Sequence, residues 1–318
     1  MRSFVIGAND SGQRLDKFIA KAVPKLPKSL MHKYIRKKRI KLNSKRCEAN
    51  AMLEAGDVIE LYISDEFFSA NKSREEFELS GQNCDIDVIY EDENIALIYK
   101  KAEIACHSGN KKESDTLVNR FVAYLTEKGD YDPFTENSFR PALCNRLDKN
   151  TCGIVIGAKN AAALREINAM IRDDKVCKEY LCICVGNLPK SHDIIKAFLR
   201  KDSSANKVYI TDRKVGDAKN IVTEYTVLDQ KDDLRLVSVR LHTGRTHQIR
   251  AHMAYIGAPV LGDVKYGDIA ANKRHKTPYQ SLCAYKISFD FEKESALSYL
   301  NNMYFEIDNI WFLNRYFK

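Results

Sequence analysis

Two short stretches of the chain concentrate residue types able to do chemistry. The first, Cys144-Asn145-Arg146-Leu147-Asp148-Lys149-Asn150-Thr151-Cys152-Gly153, sets one acid beside an arginine just ahead of an apolar run. The second, Thr243-Gly244-Arg245-Thr246-His247-Gln248-Ile249-Arg250-Ala251-His252, continues into GAPVLGDVKYG at 257–267. It packs Arg245, His247, Gln248 and Arg250 into one glycine-led turn and helix start, which presents several donors to one place, as a phosphate or carboxylate requires. Each has a plainer reading. An Asp followed by Thr-Cys-Gly before a strand is often a turn residue bonding its own backbone, and Arg250 could pair with a structural acid. His242, His247 and His252 sit five residues apart, do not share a helical face and have no zinc-motif carboxylate beside them, so no metal is expected.

The surrounding elements read as follows. DIDVIYEDENIALIYK, opening at Asp85, is two strands around a turn at Glu91–Asn94. A helical stretch at 114–128 follows, and strands at 153–158 and 178–185 bracket a helix at 160–172. Alternation returns in LRLVSVRL at 234–241, and the final strand is 283–290. Strands outnumber helices and are mostly hairpin-linked, which predicts an α+β fold with a mainly antiparallel sheet. Cys182 and Cys184 flank Ile183 and belong on one face of a strand. Nine cysteines without paired CxxC units argue against a disulfide framework or structural zinc and for reduced thiols in a cytoplasmic protein.

The chain has 318 residues and net charge +8, enough for one large unit plus a small one. The charge is uneven: residues 14–46 hold thirteen Lys or Arg against the single acid Asp16, a local +12 that leaves the remainder at −4. Such asymmetry suggests a polyanion-binding module on a mildly acidic body, although a solvated basic helix has the same composition. Apolar residues punctuate the segment. Leu15, Phe18 and Ile19 recur at helical spacing, as do Leu30, Met31, Tyr34 and Ile35. Pro24 and Pro27 separate the two helices, and Ser29 is a candidate N-cap. Strands follow at 39–43 and, after the Gly56-Asp57 turn, at 58–63. Residues 64–84 are polar and aperiodic, a linker. No apolar run approaches the roughly 18 residues of a membrane span, and MRSFVIGANDSGQR has no secretory-signal pattern.

The words GQRLDKFIAKAVP, SLMHKYIRKKRIKLN and AGDVIELYI resemble the small RNA-binding domain named after ribosomal protein S-four, assigned here to residues 1–63. A second helix bearing Lys33, Arg36, Lys37 and Lys38, followed by Arg39, would neutralise phosphates and release counterions. From 85 to 318, the two chemical words together with Lys178-Glu179-Tyr180-Leu181 resemble the RluA-type pseudouridine synthases, whose signatures read HRLDxxTSG and GRTHQxRxH. Asn145 stands at the usual His, Cys152 at the usual Ser, Lys100-Lys101 at a common Lys-Pro and His107-Ser108 at a common His-Pro.

The resemblance implies that Asp148 acts on the ribose of a target uridine, releasing uracil, which rotates and rejoins through carbon. An aspartate supplies the ionised carboxylate at neutral pH, and Arg250 would orient it through a bidentate pair. Tyr180 would lie against the uracil ring and could move a proton, unless it is plain core. Arg146 would help displace the base, and Arg245 would touch phosphate. No metal or organic cofactor is implied. The expected partner is RNA, with ribosomal RNA favoured by analogy; the expected state is a monomer. Rival readings are a transfer-RNA-directed synthase and a non-catalytic RNA-binding or ribosome-assembly factor, which would have no need of Asp148, Tyr180 and Arg250 together. A metal-dependent nuclease would need clustered acids.

Overall fold

The computed structural model describes residues 1–68, 83–109, 115–202, 204–290 and 295–317. Most of the expected linker therefore lies outside the described residues. Among them, no helix is long and apolar enough to cross a membrane.

The N-terminal unit comprises β1 (Arg2–Val5), α1 (Leu15–Ala22), α2 (Lys28–Arg36), β2 (Ile40–Leu42), β3 (Lys45–Arg46) and β4 (Val58–Leu61). Its sheet runs β1-β4-β2-β3, antiparallel throughout. The helical spacing does what it foretells: Leu15, Phe18 and Ile19 of α1 and Met31 and Ile35 of α2 are buried against Ile40, Ile59 and Leu61. Phe67 and Phe68 pack on the same core, so the chain stays with this unit through residue 68. Two local expectations are corrected. The cap of α2 is Pro27, not Ser29, which sits in the first turn; the proline ring already fixes a φ of −59° suited to a helix start. The helix also ends at Arg36, and Lys38 is left-handed at φ 57°. Lys37 and Lys38 thus lie on the turn beyond the helix.

The larger unit contains β5 (Asp87–Glu91), β6 (Ile95–Lys100), α3 (Leu117–Lys128), β7 (Ala142–Leu143), β8 (Cys152–Ala158), α4 (Ala161–Arg172) and β9 (Val176–Val185). It continues with β10 (His192–Asp202), β11 (Lys207–Thr211), β12 (Lys219–Lys231), β13 (Leu234–Leu241), α5 (Gln248–Tyr255) and α6 (Ile269–His275). β14 (Leu282–Phe289), β15 (Tyr304–Glu306) and α7 (Trp311–Tyr316) close it. One sheet runs β11-β10-β12-β13-β9-β14-β8-β6-β5. The fold is α+β with a mainly antiparallel mixed sheet, as expected; the exception is the parallel pair β14·β8. The β5–β6 turn forms because Asp92 accepts the backbone N–H groups of Asn94 and Ile95 at 2.7 and 2.8 Å. Thr116 caps α3 and Asn160 caps α4.

The parallel pair is made possible by Gly153, at φ 125°, where any Cβ would come within 2.4 Å of the Ala284 carbonyl oxygen. The close crossing of β8 and β14 sets the end of the strand onto which the Asp148 loop is built. Cys182 and Cys184 share a core-facing side of β9, Sγ to Sγ 3.7 Å, and all nine cysteines are free thiols.

Candidate active site

The Asp148 loop joins β7 to β8 and is fastened from several sides. Asn145 accepts the Ile156 N–H at 2.8 Å and donates to the Ile154 carbonyl at 3.4 Å, so an amide at this position ties the loop to β8. Leu147 N–H points to the Cys106 sulfur at 3.3 Å. Beneath lies Lys100, fully buried. Its ammonium donates to the carbonyls of Lys101, Ile104 and Lys149 at 2.9, 2.8 and 2.8 Å. Burial pulls this lysine down to about 8 from 10.5, with nearby thiols and Asp148 opposing. Three carbonyls around one ammonium make a rigid floor, because each would lose its donor if the lysine left.

Asp148, its side chain one-fifth exposed, turns to Arg250, whose Nη1 donates to Oδ2 at 2.8 Å. The distant motifs therefore meet. The expected bidentate pairing is corrected: Arg250 gives its Nε–Nη2 edge to Asp263, at 2.6 and 2.9 Å, and a single bond to Asp148. The reason is geometric. Asp263 is completely buried and needs both oxygens satisfied, and the guanidinium fork matches it. Asp263 Oδ1 also accepts the N–H groups of Lys265 and Tyr266, at 2.8 and 3.1 Å. Gly262 places this turn: at φ 80°, a Cβ there would lie 2.0 Å from the Tyr279 carbonyl oxygen. Burial works to lower Arg250 and to raise Asp263, but their mutual bonds and charge outweigh it, so both stay ionised.

The second motif starts α5 from a left-handed His247, φ 54°. Gln248 is buried and braces the turn from within the cleft wall. It accepts from Thr243 Oγ1 and Arg245 N–H at 3.0 and 3.1 Å and donates to the Val222 carbonyl and Thr223 Oγ1. His247 stands with Nε2 3.9 Å from Asp148 Oδ2 and Nδ1 2.9 Å from the Tyr266 hydroxyl. Burial lowers its pKa more than Asp148 raises it. The three histidines go separate ways, His242 to Glu224 and His252 to Thr223.

These elements enclose an open cleft lined by Arg146, Asp148, Tyr180, Leu241, Arg245, His247, Arg250 and Leu282. Tyr180, on β9, is 7% exposed. Burial first, and then the Asp148 charge, push its hydroxyl well above the usual range, which keeps it a proton donor. Arg146 and Arg245 are exposed at the cleft. The five basic residues Lys33, Arg36, Lys37, Lys38 and Arg39 are all exposed on the N-terminal unit; Arg39 stacks over Tyr34, 5.7 Å from the ring centre. Sequence reasoning missed Asp263, Tyr266 and Lys100, and it did not foresee that His247 stands beside Asp148. The signal for Asp263 and Tyr266 lay in GAPVLGDVKYG, a glycine-punctuated run holding one acid and one tyrosine.

A family model for RNA pseudouridylate synthase matches residues 94–255, half of the chain. An "Uncharacterized RNA pseudouridine synthase" of Mycoplasma capricolum subsp. capricolum is 33% identical over 307 residues, 95% of this chain and 96% of the relative. The "Ribosomal large subunit pseudouridine synthase D" of Borreliella burgdorferi is 32% identical over 240 residues, covering 76% and 71%. The solved structure of "Human RNA Pseudouridylate Synthase Domain Containing 1" aligns with a TM-score of 0.53 at 20% identity, covering 73% of this chain and 94% of that one; it supports the fold.

Proposed function

The chain belongs to the RNA pseudouridine synthase family, and from that membership we propose that it isomerises one uridine of a structured RNA, with Asp148 acting on the ribose. The observation that carries this reading is the 2.8 Å contact of Asp148 with Arg250 in a cleft also lined by Tyr180. Asp148 is partly exposed to an incoming sugar, while Arg250 is immobilised from behind by Asp263. The guanidinium therefore orients the carboxylate without swinging into the substrate's place. The uridine must leave its helix to reach this depth, and Arg146 at the rim is placed to brace the gap it leaves.

In the reaction, the bond from the sugar to a ring nitrogen breaks and a bond from the sugar to a ring carbon forms. The carbon gives up a proton and the nitrogen gains one, so substrate and product have the same atoms and electrons. Tyr180, protonated beside Asp148, lies against the base and serves the proton movement. The substrate we favour is large-subunit ribosomal RNA, the target printed in the Borreliella relative's name. The basic face of the N-terminal unit supplies salt-dependent, sequence-tolerant affinity, while the cleft selects the uridine. Asp148→Asn tests the scheme: pseudouridine formation disappears, a loss on the order of 10³ or more, while RNA affinity stays within a few-fold. Normal turnover in that variant refutes it.

A further inference from the structure

The two units are joined by more than the chain between them. Asp10, on the loop between β1 and α1, is 1% exposed. Its Oδ2 accepts from Asn137 Nδ2 at 2.8 Å and its Oδ1 from Ser138 Oγ at 2.6 Å, both on the larger unit. Asn137 also donates to the Val5 carbonyl at 3.0 Å, and Gln13 Nε2 to Ser138 Oγ at 2.9 Å. Beside it, Asn9 donates to Glu136 at 2.6 Å and accepts the Ala161 N–H at 3.0 Å. Arg165 Nη1 reaches the Ser11 carbonyl at 3.2 Å.

Three features make this a specific lock rather than a casual contact. A carboxylate removed from water is tolerated when its oxygens are bonded, and here both partners come from the other unit. Asp10 is thus satisfied in one docked arrangement and otherwise needs solvent. Second, Asn9 supplies an acceptor to an N–H in the first turn of α4, a donor the helix itself cannot satisfy; Asn160 serves Ala163 two residues on. Third, the named contacts are hydrogen bonds, whose directionality specifies orientation where apolar contact would tolerate sliding. The lock also reaches the catalytic side. Ala163, Ile167 and Met170 of α4 pack against Ile154 and Ile156 of β8, the strand that leaves the Asp148 loop.

We propose that this Asp10–Asn137–Ser138 lock is a positioning device: it holds the basic face of α2 at a fixed span from the cleft and so determines which uridine reaches Asp148. The proposal rests on the reading that the N-terminal unit holds RNA and the cleft isomerises uridine. Without the lock, the two RNA-contacting parts would be held by the covalent segment and the few remaining contacts of Asn9 and Arg165, too few to fix one orientation. The second contact would then be governed by effective concentration rather than by geometry.

The test uses the full-length protein and total RNA from cells lacking it, with pseudouridines mapped at single-nucleotide resolution. Two designs remove the lock from opposite sides: Asp10→Ala, and the pair Asn137→Ala with Ser138→Ala. The second leaves the N-terminal unit untouched, so it reads the lock even if Asp10→Ala fails to fold. RNA affinity is expected within two-fold of the parent. By contrast, kcat/KM at the native uridine falls about ten-fold, and pseudouridine appears at additional uridines. Ser138→Thr, which keeps the hydroxyl, retains the parent pattern. An unchanged site pattern and unchanged kcat/KM in the body-side pair overturn the lock alone. No pseudouridine from the parent protein, or unchanged RNA affinity after charge reversal at Lys37 and Lys38, overturns the functional reading and the lock with it.

Discussion

The cleft and the N-terminal basic face both rely on charge, yet they use it in opposite ways. In the cleft, Arg250 and Asp263 are buried and bonded to each other, Asp148 is held by the remaining donor of Arg250, and Lys100 is ringed by carbonyls. On α2 and the turn after it, Lys33, Arg36, Lys37, Lys38 and Arg39 project into solvent. A buried charge must be paired or it costs several kcal/mol, so each cleft residue is specified by its neighbour and its loss is not shared. Exposed cations act through a summed field that salt screens, so each is partly replaceable. The cleft fixes orientation, whereas the basic face, on the proposed reading, supplies attraction.

Substitutions that spare Asp148 test this contrast. The largest effect should come from Asp263→Asn. It turns one of the two oxygens facing Arg250 into an amide donor and leaves the guanidinium a single bond to Asp148 as its charge pairing, a cost of about 3–5 kcal/mol in stability. It also frees the guanidinium to shift, for a loss of about 10² in kcat. Thermal unfolding and single-turnover rates measured together check both. If kcat holds while stability falls, Asp263 supports the fold and does not orient Arg250.

Tyr180→Phe separates chemistry from packing at a wall of the cleft. The ring survives and the hydroxyl goes, so a packing role predicts a change under two-fold. Proton movement predicts a fall in kcat of about 10²-fold with KM little altered. The kcat value alone decides between them.

Lys100 carries a pH signature. Its folded pKa of about 8 lies below the usual 10.5, so between those values the unfolded chain binds more protons and stability rises with pH. The cost of holding this lysine charged is present below about pH 8 and gone above about 10.5. Relative to Lys100→Met, the parent should therefore gain up to about 3 kcal/mol across that window in denaturant unfolding. A constant difference between the two proteins would show that the lysine is not held charged in a dry site.

The smallest effect per residue belongs to the basic face. Reversing Lys37 and Lys38 to Glu should weaken RNA binding about ten-fold at low salt and lower the salt slope by roughly 2, while kcat at saturating RNA stays unchanged. An unchanged slope would mean that these lysines merely face solvent, and the contrast between the regions would lose one side.

Much of this architecture was readable beforehand, for identifiable reasons. The helical spacing of Leu15, Phe18, Ile19, Met31 and Ile35 reports burial directly, and strands such as 234–241 alternate visibly. Asp92 lies in the turn expected at Glu91–Asn94, and its chemistry is local. β10, β11 and β12 escaped because lysines, an arginine, threonines and acids are interspersed in them, which dilutes the period-two signal at one side of the sheet. The parallel pairing of β8 with β14 escaped because it joins strands more than a hundred residues apart, and the only local trace is Gly153.

The chain by itself determined the identity and order of the candidate site groups: Asp148 in its loop, Tyr180 on its strand and Arg250 at its helix start, with a basic segment ahead of them. Residue type, spacing and short-range periodicity are written along the sequence, so these are legible there. Tertiary structure alone decided who holds whom. Arg250 gives its better edge to Asp263 rather than Asp148, His247 comes within 4 Å of the carboxylate, Lys100 lies beneath the loop, and Asp10 fastens one unit to the other. Those choices depend on desolvation and on the direction of each hydrogen bond, and neither exists until distant segments of the chain are folded against one another.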